Sequence, residues 1–83
     1  MKKQITWATL QKIEEAFQET YPKYCLKNRF KYDIRRSFGE MKRKELIDAM
    51  YLATSRVRND ADGCLKYFCG ICWNIIRDKE EER

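Results

Sequence analysis

The chain contains no histidine. That absence removes the commonest general base, the commonest metal ligand and every nucleophile–histidine arrangement. There is no Gly-x-Gly-x-x-Gly run, Walker A loop or Gly-x-Ser-x-Gly elbow, so the familiar phosphate cradles and hydrolase turns are missing too. Proline occurs once and glycine three times in 83 residues, too few for a disordered or turn-dominated chain. No apolar run nears the ~18 residues a membrane span requires. The longest candidate, 67–76, is interrupted by Gly70 and Asn74. Met1-Lys2-Lys3 leads into polar residues, so no secretory signal is expected. These absences predict a non-enzymatic, cytoplasmic protein with reduced thiols and no membrane contact.

Charge is abundant and unevenly placed. Between Lys23 and Lys44 stand nine lysines and arginines against two acids, a formal +7 where the whole chain carries only +5. Tyr24, Phe30, Tyr32 and Phe38 are interleaved with those charges. Concentrated positive charge is the electrostatic footprint of a surface that meets phosphate. Aromatic rings among the cations offer faces on which unpaired bases stack. The same pattern also fits a solvated charged face over an aromatic core.

Length and periodicity predict one all-α domain over residues 1–83, a small three- to four-helix bundle. A chain this short buries roughly 60–65% of its unfolded surface, so most apolar residues serve the fold. Trp7, Leu10, Ile13, Phe17 and Tyr21 recur at helical spacing, with Thr6 as the cap and Pro22 as the stop. The basic segment 23–38 has both a helical stripe (Leu26, Phe30, Ile34, Phe38) and a strand-like alternation. Helix is favoured, because a lone strand has nothing to pair with. A third helix is predicted over 40–58, with Lys42, Arg43 and Lys44 in its first turns, where cations oppose the helix dipole. The 59–63 run is a loop, with Asp60 or Asp62 capping a last helix over 64–78. Leu65, Phe68, Cys69, Cys72, Trp73, Ile75 and Ile76 cover more than half of that helix, which predicts it as the centre of the bundle and leaves room for a homodimer. Residues 79–83 read as a frayed charged tail.

Cys25, Cys64, Cys69 and Cys72 could supply a four-thiolate zinc site, since 69–72 is a Cys-x-x-Cys. Such pairs usually occupy tight turns, whereas these flanks continue a helix whose apolar arc holds Cys69 and Cys72. Buried protonated thiols are therefore expected, with zinc disfavoured and no cofactor. Cys25 is the thiol expected to be accessible.

Residues 45–53 and 65–76, with an E-x-x-x-A-x-x-x-A helix before one carrying Tyr67, Ile71 and Ile75, resemble the C-terminal module of DnaD-type primosome and replication-initiator proteins. That family typically has tryptophan where Ile75 stands, and Trp73 is out of register. The resemblance implies DNA binding through the motif helix, at Lys66, Tyr67, Asn74, Arg77 and Lys79. It also implies a setting in phage- or mobile-element-type replication or recombination.

The functional expectation is a non-catalytic nucleic-acid-binding protein, with DNA as partner and a replication or other nucleic-acid-processing protein as a further one. Lys27, Arg29, Lys31, Arg35, Arg36, Lys42, Arg43 and Lys44 are the expected phosphate contacts, with Tyr24 or Tyr32 for stacking and Lys66 and Arg77 contributing from the last helix. The alternative is a small adaptor or inhibitor of a nucleic-acid enzyme, of the anti-CRISPR-like phage type.

Overall fold

The structure, a computed structural model, describes residues 5–81. Met1-Lys2-Lys3 and the last residues of the predicted tail, Glu82 and Arg83, lie outside them. Four helices follow one another: α1 (Trp7–Thr20), α2 (Asn28–Ser37), α3 (Arg43–Arg56) and α4 (Ala61–Glu81). The all-α class holds, and the described residues contain no strand.

Local signals set several boundaries. Thr6 caps α1, its Oγ1 accepting the Thr9 N–H at 3.2 Å. Asp60 caps α4, its carboxylate accepting the Gly63 N–H at 3.0 Å. α3 begins at Arg43, later than predicted. Phe38 first turns the chain by accepting the Met41 N–H at 3.0 Å, and Met41 is buried. Lys42 then stands at the N-cap, and the Glu45 carboxylate accepts its backbone N–H at 2.8 Å. An acid in the first turn thus offsets the cations beside it.

α3, not α4, is the central helix, packing along both α1 and α4. Its Ala49 and Ala53 lie one turn apart and are buried, and such small side chains let neighbouring backbones approach. α4 buries a narrower stripe than its composition predicts: Cys64, Phe68, Cys72 and Ile76, each four residues apart. Leu65, Cys69 and Ile75 are half-buried, and Trp73 is exposed, its ring centroid 5.1 Å from that of Phe38 with the planes at 73°.

α3 and α4 run antiparallel, so the first turn of one meets the last turn of the other. There Lys79 Nζ reaches Glu45 Oε1 at 2.5 Å, and α4 continues through Glu81 rather than fraying at Lys79. Burial pushes the Glu45 carboxyl up, but the Lys79 hydrogen bond, the Lys42 N–H and both lysine charges outweigh it. The group is held below the ordinary carboxylate range. At the other end of α3, Tyr21 is buried and stacked on Phe17 at 5.1 Å. Its hydroxyl donates to the Val57 carbonyl and accepts the Asp60 N–H at 3.3 Å, tying the end of α1 to the α3–α4 loop.

α2 is attached differently. It makes no comparably close backbone approach to another helix. Its inner face holds Ile34, which is buried, and Phe30, whose ring lies 6.4 Å from that of Phe68; Phe38, at its C-cap, lies 6.3 Å from the same ring. The loop before it is pinned by α1: Gln18 donates to the Tyr24 carbonyl at 2.9 Å, and Glu14 accepts the Leu26 N–H at 2.8 Å. Those bonds hold 23–27 as loop, so the helix predicted for the basic segment begins only at Asn28.

Candidate nucleic-acid interface

With Ile34 and Phe30 turned inward, three- and four-residue spacing places Arg29, Tyr32 and Arg36 on the outer side of α2. All three are exposed. Together with Asn28, Asp33 and Arg35 they line a shallow, open depression. Arg36 meets Asp33 at 3.2 Å while remaining largely in solvent, a pairing that water leaves weak.

Two of the expected contacts are committed inward. Lys31 Nζ lies 3.2 Å from Glu14 Oε1, with both side chains mostly covered. The Arg35 guanidinium lies over the Trp7 ring, 5.4 Å from its centroid, an attractive cation–π geometry. The same carboxylate that fixes Leu26 therefore fixes Lys31, and α1 presents Glu14 and Trp7, two helical turns apart, along the flank of α2.

Trp7 is the residue that the apolar pattern misplaces. Counted with the core stripe of α1, it is 45% exposed, and its ring lies 5.3 Å from that of Tyr32 with the planes at 86°. Trp7 opens α1 and stands two turns before Glu14, which sets it at the edge of the apolar stripe, on the flank that meets the basic helix.

The remaining expected contacts are distributed elsewhere. Lys27 is exposed at the N-cap of α2. Lys42 and Arg43 border a second depression, between the N-terminal ends of α1 and α3, that includes Thr6, Thr9 and Gly39. Lys44 is exposed on the first turn of α3. Lys66 borders a third depression with Phe30, Asp62, Leu65 and Cys69. Arg77 is exposed on α4, where Tyr67 is 42% exposed, Ile71 and Ile75 are half-buried, and Lys79 is engaged with Glu45.

Cys25 is exposed in the α1–α2 loop, whereas Cys64 and Cys72 are buried and Cys69 is half-buried. Burial, with the Asp60 charge, pushes the Cys64 thiol up to about 11. Burial, with the charges of Cys69 and Glu45, pushes Cys72 up to about 12. Cys69 is raised by burial and by Asp33. The thiolate is the form that attacks and that ligates metal, and burial disfavours it at all three positions. Among the described residues no three His, Cys, Asp or Glu side chains converge as a metal site would require. No helix among them is long and apolar enough to cross a membrane.

The class these features define is a small four-helix protein with a basic, aromatic-bearing helix on its surface. Compared with protein-family models, with curated proteins and with solved structures, the chain matches none of them.

Proposed function

We propose that this protein is a non-catalytic nucleic-acid-binding module that grips DNA through the outer side of α2. The observation that carries the reading is the exposed row of Arg29, Tyr32 and Arg36, with Lys27 at the head of the helix and Trp7 and Arg35 beside it. Phosphate contacts from such cations supply affinity with little base specificity. Lys42, Arg43 and Lys44 extend positive charge to the start of α3 and widen the field that draws in a polyanion. A role as accessory in phage- or mobile-element-type replication or recombination is supported by the resemblance of residues 45–79 alone.

Fluorescence anisotropy with labelled DNA across a salt series tests this reading. Neutralising about five phosphates gives a log–log slope near −3.5 on single strands or −4.5 on duplex. The variant to compare is Lys27→Ala/Arg29→Ala/Arg36→Ala, because these side chains are exposed and hold no helix in place. Weakened binding and a slope shallower by about two to three units are expected. Absence of binding at about 50 mM salt, where such contacts are strongest, would overturn the proposal and leave the basic face as a docking surface for acidic protein.

A further inference from the structure

Tyr32 has a geometry that an electrostatic grip alone does not need. The residue is 57% exposed, in the middle of the basic row rather than at its edge. Its one aromatic neighbour among the described residues is Trp7, at 5.3 Å and nearly perpendicular. In an edge-to-face pair one ring presents an edge and the other a face. If Tyr32 presents its edge, both of its faces are clear of Trp7; if it presents a face, the opposite one is clear. Either way Tyr32 keeps a ring face that Trp7 does not cover. The Arg35 guanidinium lies over the Trp7 ring, 5.4 Å from its centroid, and so helps hold Trp7 in place beside Tyr32. Arg29 and Arg36 stand three residues before and four after Tyr32, about 5–6 Å away at their Cβ atoms. A base on the tyrosine face would thus have a cation on each side for its flanking phosphates.

Resting on the proposed DNA-binding function, we infer that the ligand class is single-stranded DNA, with an unpaired base stacked on Tyr32. Duplex DNA keeps its bases in the helical stack and offers no face to a ring on a convex helix. A strand with free bases satisfies both the ring and the arginines. Trp7 touches Tyr32, so its emission reports the event.

The test compares three labelled ligands of equal length and charge per strand: oligothymidylate, an abasic deoxyribose-phosphate strand, and a duplex. Oligothymidylate should bind about tenfold or more tightly than the abasic strand, and Tyr32→Ala should remove that difference while Tyr32→Phe keeps it. In a Trp73→Phe background, where Trp7 is the remaining tryptophan, oligothymidylate but not the abasic strand should change the emission. Circular dichroism of the Tyr32→Ala variant establishes that the exposed substitution leaves the helices intact. Equal affinity for all three ligands, unaffected by Tyr32→Ala, would overturn the stacking inference while the phosphate-binding function stands. Binding of none of them would overturn both.

Discussion

α2 and α3 are adjacent in the chain and both open on lysine and arginine, yet they are used in opposite ways. α3 buries Leu46, Ala49, Met50, Ala53 and Thr54 and touches two other helices, whereas α2 buries Ile34 alone. The first turn of α3 receives Glu45 to offset its cations; the first turn of α2 contains no acid, and Lys27 and Arg29 face water while Lys31 turns to Glu14 of α1. Positive charge can thus collect where a helix has few obligations to the core. On α3 a comparable load would have to be neutralised or displaced from two packing faces.

The sharpest way to break this division is at the residue where α2 meets the rest of the fold. Phe68 is fully buried on α4, between the rings of Phe30 and Phe38. Phe68→Ala should cost about 3–5 kcal/mol in urea denaturation, and it should loosen α2 as well as the core. Next in size is Tyr21→Phe, which strips the hydroxyl shared by the Val57 carbonyl and the Asp60 N–H. A loss of about 1–3 kcal/mol is expected, with α2 left in place.

A smaller effect belongs to the Glu45–Lys79 pair. The Glu45 carboxyl is depressed in the folded state, so its contribution is present above the ordinary carboxylate value and is lost as pH falls through the lowered one. Both side chains reach solvent, so Lys79→Met should cost no more than about 1 kcal/mol at pH 7. Thermal melts of the two proteins should converge at pH values low enough to protonate Glu45. The smallest effect on stability should come from Arg29→Ala/Arg36→Ala, within about 0.5 kcal/mol, although the same pair should weaken the proposed DNA binding. A large loss of stability there would mean that α2 is a structural helix after all.

Much of this division was legible from residue order. The Thr6 cap, the Pro22 stop and the Asp60 cap are local chemistry, carried by side chains within a few positions of the backbone groups they serve. Tertiary events were less visible. Nothing near 23–27 announces that Gln18 and Glu14 will seize its backbone, which is why the basic helix starts late. Apolar breadth also misled at α4: its rich composition suggested the centre, but the central place went to the helix with two alanines in line. Helical spacing and ring size place Trp7 and Trp73 with the core. Both lie at its rim, each in a steeply angled ring pair with a neighbour and about half exposed. The basic row itself was readable, but Lys31 and Arg35 could not be told from their exposed neighbours without knowing what α1 places opposite them.

The looseness of the contact between α2 and the other helices has a further consequence. A helix held mainly by a few rings and one carboxylate can lift away at a lower free energy than the whole domain needs to unfold. On this argument the protein has two levels of opening, with α2 on the lower one. Any molecule that binds only the seated helix lowers the population of the lifted form by mass action. Occupancy of the surface would thereby be converted into rigidity of the segment that carries it.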